Sequence, residues 1–329
     1  MKTRVLAAVL LISMSMQIPI AQAQLSLLPG DSNVVSAAAD QSAPDIAGGT
    51  GVSLVVWTDN RPNPYDSYMW SEYETSRDIY GVRIDSSGNV LDPVPLAIVS
   101  ARSNQRNPKV VWNGSNWLVV FESMDVGGTG YYEESLEAVR VAPSGQLLDP
   151  KPIKLYGLIP SGPSYWSLAS DGNHWVVVNQ ATSTSSDIVA VRISSDGVAL
   201  DPPTRAIVPA TYFMRSNIKL AYGGGVFALT YTDNYDTKLL RFDSNLTPLS
   251  AAPQSLLNAM INDMAGNSDG FYIVWNRQEP DWTVRVVGSR VNSAGVRLDG
   301  NGVNISGTKQ PDGYAINAVT WDGVNWRVT

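Results

Sequence analysis

The chain has 329 residues, of which 23 are basic and 30 acidic, giving a net charge of −7, with one histidine and no cysteine. An acidic chain of this kind is a poor ligand for nucleic acid or anionic lipid. The missing cysteine excludes disulfides, thiol catalysis, Cys-ligated metals and a lipoprotein anchor, and the lone His174 falls in a predicted tight turn, which argues against Ser-His-Asp and His-zinc chemistry.

Residues 1–23 read as a secretory signal peptide. Lys2 and Arg4 form the positive start, Val5 to Ile20 is apolar, and Ala21-Gln22-Ala23 is a small-residue cleavage site. Residues 24–329 are expected to form the mature domain, secreted or periplasmic in a bacterial envelope. Without Lys2 and Arg4 it keeps 21 basic residues against 30 acidic, a net charge of −9. No later stretch is long and apolar enough to predict a membrane-spanning helix.

From residue 41 onward one hairpin pair recurs. Its first half is a turn followed by an apolar run, as in Asn113-Gly114-Ser115-Asn116-Trp117-Leu118-Val119-Val120-Phe121 and Asp171-Gly172-Asn173-His174-Trp175-Val176-Val177-Val178. Its second half is an Arg in an alternating run, a Gly turn and Leu-Asp-Pro, as in Val82-Arg83-Ile84 with Gly88 and Leu91-Asp92-Pro93. The apolar runs end at Trp57, Phe121, Asn179, Tyr231 and Trp275, at intervals of 64, 58, 52 and 44 residues. Leu-Asp-Pro recurs at Leu91, Leu148 and Leu200, is read as decaying to Leu246-Thr247-Pro248, and returns as Leu298-Asp299-Gly300. Each unit is thus predicted to hold four short antiparallel strands, A before the Gly turn, B after it, C around the repeated Arg and D after Leu-Asp-Pro, with no helical period.

Repeats of this size predict an all-β protein: a β-propeller of five complete four-stranded blades and a partial sixth. Leu25 to Ala38 resembles the D strands and is expected to close the ring. Trp321 to Thr329 matches the start of a further blade, so the expectation is a domain truncated at its C-terminal side. The D-G-x-x-W-L-V-V-W and G-x-x-L-D-P hairpins, over residues 41–329, resemble a group of bacterial secreted β-propeller-like repeat proteins. The resemblance implies architecture and no particular activity. The fourth unit departs most, with Tyr222-Gly223-Gly224-Gly225 in place of the Asp-Gly turn.

The recurring Arg83, Arg140, Arg192, Arg241 and Arg290 occur once per unit, so a structural pairing with the Asp of Leu-Asp-Pro is expected rather than a catalytic role. Ser170 to Trp175 superficially matches the Asp box of sialidases, but Asp171 and Gly172 are adjacent and the Phe-Arg-Ile-Pro motif is missing. A two-residue hairpin turn explains the pair instead, with Trp175 packing between blades. Asp85 to Asp92 lacks the alternating ligands and terminal Glu of an EF-hand. No metal site and no cofactor are expected.

The units differ most in the B–C connections of the first two, which are predicted to be long loops rich in Tyr, Trp and carboxylates. Such loops on a rigid scaffold favour binding. The leading expectation is therefore a secreted, non-catalytic propeller binding a glycan, peptide or protein through this face. Trp70, Tyr68, Tyr73, Tyr131 and Tyr132 would be its stacking surfaces, and Asp59, Glu72, Glu122 and Glu133 its polar contacts. The alternative is a propeller glycoside hydrolase or lyase with paired acids near the central channel, drawn from Asp45, Asp59, Glu122, Asp233 and Asp263. A second alternative is a structural repeat region of a larger envelope or adhesive protein.

Overall fold

A computed structural model describes residues 41–60, 77–101, 104–126, 132–157, 159, 162, 165–182, 185–203, 205–210, 215–306 and 318–329. The expected signal peptide and closing strand, residues 1–40, lie outside these.

The described residues form strands and no α-helix. Blade 1 is β1 (Gln41–Gly48), β2 (Val52–Asp59), β3 (Asp78–Asp85) and β4 (Leu96–Val99). Blade 2 is β5 (Asn104–Trp112), β6 (Trp117–Val126), β7 (Tyr132–Val141) and β8 (Ile153–Gly157). Blade 3 is β9 (Trp166–Ser170), β10 (His174–Thr182), β11 (Ser185–Ser194) and β12 (Ala206–Val208). Blade 4 is β13 (Ser216–Gly223), β14 (Val226–Asp233), β15 (Asp236–Phe242) and β16 (Gln254–Leu257). Blade 5 is β17 (Ile261–Asn267), β18 (Gly270–Gln278), β19 (Val284–Asn292) and β20 (Val303–Asn304). A last hairpin, β21 (Val319–Trp321) with β22 (Trp326–Val328), begins a sixth.

Each blade is an antiparallel meander, and the A strands β1, β5, β9, β13, β17 and β21 pack in succession. The result is the expected β-propeller with five four-stranded blades. Its core is divided among the blade interfaces, because side chains alternate across a strand. Trp117, Val119 and Phe121 face blade 1, whereas Leu118 and Val120 face blade 3. The Trp after the A–B turn bridges blades as expected: Trp117 Nε1 donates to Ala47 O at 3.0 Å and Trp175 Nε1 to Val111 O at 3.3 Å.

The repeated Arg pairs with its Asp in four blades, through Arg83–Asp92 (2.6 Å), Arg140–Asp149 (2.7 Å), Arg192–Asp201 (2.8 Å) and Arg290–Asp299 (2.6 Å). It also does something the repeat pattern did not reveal. Its Nη1 reaches the C–D turn of the following blade, donating to a backbone carbonyl there. Arg83 donates to Pro143 O, Arg140 to Ser195 O, Arg192 to Ser244 O and Arg241 to Ser293 O. The receiving turn carries a glycine for two reasons. At Gly145 φ is +85°, and an added Cβ would lie 2.9 Å from Arg83 Nε.

Two sequence expectations are corrected. The fourth-blade counterpart of Leu-Asp-Pro is Leu249-Ser250-Ala251, not Leu246-Thr247-Pro248. Leu249 N donates to Arg241 O as Leu91 N does to Arg83 O, both at 2.9 Å. Leu246 instead occupies the turn position of Gly88, at φ 60°. Its side chain is buried in the core between blades 3 and 4, which offsets that strained backbone. The second B–C connection is also not a long loop. β6 and β7 stay paired out to Val126↔Tyr132, so a hairpin occupies most of it.

Arg192→Ala should lower stability by ~1–2 kcal/mol, since it leaves the buried Asp201 carboxylate with fewer donors. Arg290→Ala, whose side chain is 59 % exposed, should leave the melting temperature unchanged. Thermal denaturation of the two variants side by side checks this. Equal losses would contradict a role that depends on the following blade.

Candidate functional site

The A strands place one residue per blade at a common level of the central channel. In the A–B pairing Asp45 sits opposite Val56, Lys109 opposite Val120, Ser167 opposite Val178, Lys219 opposite Thr230 and Asp263 opposite Val274. The position follows an irregularity in the register in blades 1, 2, 4 and 5. In three of these, Ala43, Asn107 or Asn217 takes a φ of 49–54° two residues earlier. Bulges of this kind re-aim the side chains that follow them.

At this level the side chains lace each blade to the next. Asp45 Oδ2 accepts from Val110 N at 2.8 Å, and Lys109 Nζ donates to Trp166 O at 2.6 Å. Ser167 Oγ accepts from Leu220 N at 3.0 Å, Asn217 Nδ2 donates to Ile261 O, and Asp263 Oδ2 accepts from Val319 N at 2.9 Å. Lys219 Nζ lies 3.9 Å from Asp263 Oδ1, and Lys109 Nζ lies 4.2 Å from the centre of the Trp166 ring.

Two acids and two lysines therefore share one channel. Asp45 is raised to about 6, chiefly by burial, with the Asp263 charge adding to the rise; hydrogen bonds from Val110 and Ile46 and the Lys109 charge oppose it. Lys109 is lowered to about 7 by burial and by Lys219, against the pull of Asp45, Glu122 and Asp263. Asp45 thus carries a proton for part of the time near neutrality, and Lys109 can lose one there. Asp263 supplies a second carboxylate within electrostatic reach of the first. An acid of raised pKa beside a second carboxylate can protonate a leaving group and stabilise the positive charge left behind.

The structure separates the other expected site residues from this pair. Asp59 is fully buried and accepts from Trp57 Nε1 at 3.0 Å. Glu122 is buried and accepts from Arg106 Nε, Asn107 Nδ2 and Trp166 Nε1 at 2.9–3.0 Å, with Arg106 bridging on to Glu134. That network supports the wall carrying Lys109. Asp233 ends β14, outside the lacing. Tyr68, Trp70, Glu72, Tyr73 and Tyr131 lie outside the described residues, as do the side chains of Tyr132 and Glu133 at the start of β7. His174 opens β10 at the opposite, A–B end of its blade, with Nδ1 3.6 Å from Asp171 Oδ2. Among the described residues no three His, Asp or Glu side chains gather as a metal site.

Lys109, Ser167 and Lys219 were missed by sequence reasoning. A signal was there: Asp45-Ile46-Ala47, Lys109-Val110-Val111, Ser167-Leu168-Ala169, Lys219-Leu220-Ala221 and Asp263-Met264-Ala265 align, with a varying polar residue before a constant apolar pair.

No protein-family model and no curated protein matches the chain. Among solved structures, a sialidase from Trypanosoma rangeli bound to the inhibitor DANA is similar with a TM-score of 0.50 and 12 % identity. The match covers 88 % of this chain and 52 % of the sialidase, so the chain spans about half the length of that protein. A GH43_1 enzyme from Xanthomonas citri complexed with xylose matches with a TM-score of 0.46 at 11 % identity, over 80 % of this chain and 91 % of the other. An exo-β-1,3-galactanase from Phanerochaete chrysosporium matches with a TM-score of 0.45 at 12 % identity, over 86 % and 68 %. At such identities the likeness establishes the propeller fold alone. The expectation of a non-catalytic binding propeller is nonetheless corrected. The matching solved structures are named as a sialidase, a GH43_1 enzyme and a galactanase, which sits with the hydrolase alternative rather than with the leading expectation, and two acids named for that alternative, Asp45 and Asp263, take equivalent positions on their A strands.

Proposed function

We propose that this chain is a propeller-type glycoside hydrolase whose reaction takes place in the central channel. The observation that carries the proposal is the equivalent placement of Asp45 and Asp263 on the A strands of their blades, with the Asp263 charge felt at Asp45, whose pKa is raised to about 6. Protonated Asp45 donates to the glycosidic oxygen as the bond breaks. Asp263, held by Val319 N and by Lys219, stabilises the oxocarbenium-like centre or activates water toward it. Lys109 positions Asp45 electrostatically and keeps its pKa from rising further. Export to the periplasm or medium, where polysaccharides are met, forms part of the same proposal.

The test is release of reducing sugar from a panel of polysaccharides and nitrophenyl glycosides between pH 4 and 9. The acid must be protonated, so the rate should be highest at acidic pH and fall as pH passes about 6. No release from any substrate, or a rate that climbs steadily to pH 9, would remove the hydrolase reading.

A further inference from the structure

We propose that Tyr235 and Trp282 form an aromatic platform that grips the sugar rings of the chain being cleaved, on the propeller face where β17, the strand of Asp263, begins. This rests on the hydrolase reading, and it assigns substrate contacts to the short B–C turns of blades 4 and 5.

Both residues stand in backbone conformations that suit glycine. Asn234 and Tyr235 form the two-residue turn between β14 and β15, with φ of 49° and 67°. Trp282 has φ 65° in the turn between β18 and β19, which is closed by Glu279 N donating to Thr283 O at 2.8 Å and Trp282 N to Glu279 O at 3.0 Å. A bulky residue at positive φ is uncommon and strained. Both rings are also left in water, Tyr235 75 % and Trp282 79 % exposed.

Local structure therefore disfavours an aromatic at each position twice over. Among the described residues, the other non-glycine residues at positive φ are Ala43, Asn107, Asn217, Asn234 and Leu246. Alanine and asparagine are small, and Leu246 is buried in a core that compensates it. Only Tyr235 and Trp282 combine strain with a large exposed ring. Strain that folding does not compensate points to function.

The setting identifies the ligand chemistry. The turns are stiffened by ion pairs and hydrogen bonds: Lys238 and Ser255 hold Asp236 at 2.6 and 2.8 Å, Thr283 holds Asp281 at 2.5 Å, and Arg277 holds Glu279 at 3.0 Å. The residues flanking each ring in its turn are polar, Asp233, Asn234 and Asp236 for Tyr235 and Glu279, Asp281 and Thr283 for Trp282, unlike the continuous apolar patch of a protein interface. A flat π face ringed by hydrogen-bonding groups complements a pyranose, which offers C–H bonds on one face and hydroxyls at its edge. The location agrees. B–C turns leave the propeller on the face where the A strands begin, and Asp263 is the third residue of β17.

The experiment is affinity electrophoresis in gels containing soluble xylan, β-1,3-galactan, laminarin or pectin. An Asp45→Asn parent keeps the polysaccharide intact. At least one polysaccharide should retard the parent, and adding Tyr235→Gly and Trp282→Gly should weaken that retardation at least tenfold. Because glycine relaxes both turns, the melting temperature should be no lower than the parent's. Equal retardation of the two proteins, or none of the parent by any polysaccharide, would overturn the platform. Retardation lost in the double variant, with no hydrolysis of any substrate by the unmodified protein, would uphold the platform and remove the hydrolase reading alone.

Discussion

Asp45→Asn should lower glycoside hydrolysis by about 10²–10⁴-fold, the usual contribution of a positioned general acid. Asparagine is the informative replacement. Its side-chain oxygen can still accept from Val110 N, so the link between blades 1 and 2 survives while the proton donor is lost. An independent readout comes from stability. A carboxyl whose folded pKa lies near 6, above the ordinary 3.8, favours folding when protonated. That contribution is fully present below about pH 4 and is lost as pH rises through about 6. Asparagine escapes the loss, so the variant should gain ~1–2 kcal/mol relative to the wild type between pH 4 and pH 8, allowing for the solvent that reaches the channel. Lys109 acts with the opposite sign, because its folded pKa is lowered to about 7. Its neutral form is the one favoured in the fold, so stability should rise with pH above 7 in both proteins. Denaturation midpoints across pH, set beside hydrolysis rates, separate loss of the acid from loss of the fold. A variant that is fully active, or whose advantage does not grow with pH, would show that Asp45 is not the acid of raised pKa described.

The second large effect is structural. Trp117→Ala should destabilise the protein by ~3–5 kcal/mol, as for other large-to-small changes in a packed core. The indole is fully buried, its ring centre lies 4.9 Å from that of Trp112, and its Nε1 bonds the inner strand of blade 1. An added Cβ on Gly49 would come within 2.8 Å of it, so the neighbouring backbone is moulded to this ring and cannot easily close over the cavity. Urea denaturation monitored by circular dichroism measures the loss. A cost under 1 kcal/mol would mean that the blade interfaces are looser than the burial indicates.

The architecture was legible because it is written by local rules repeated in sequence: Asp-Gly or Asn-Gly turns, apolar runs of strand length, and an Arg nine residues before an Asp. Its failures have local causes. Leu246-Thr247-Pro248 imitated Leu-Asp-Pro in letters, while the hydrogen bonds placed Leu249 in that role. What marked the true register was a leucine at positive φ, which no sequence pattern announces. The site was half legible. Asp45 and Asp263 were among the candidate acids, but they are 218 positions apart, and bulges shift the register before both. Their common level in the ring depends on its geometry, and so does their environment: Lys109 and Lys219 look like ordinary solvated lysines until the channel encloses them. Tyr235 and Trp282 lie in short connections, where no pattern of letters marks a residue at positive φ.

The arginine contacts between blades all point the same way along the chain, from each blade to its successor. Mechanical and thermal coupling therefore has a polarity. Melting one blade releases the Arg of the blade before it, whereas the blade after it keeps its own Arg contact forward. Arg290 has only its own Asp299 as a side-chain partner among the described residues and stands mostly in solvent. Opening should accordingly spread from a blade to the one before it more readily than to the one after. In native-state hydrogen exchange a substitution that loosens blade 3 should lower the protection of β6 and β7 more than that of β14 and β15.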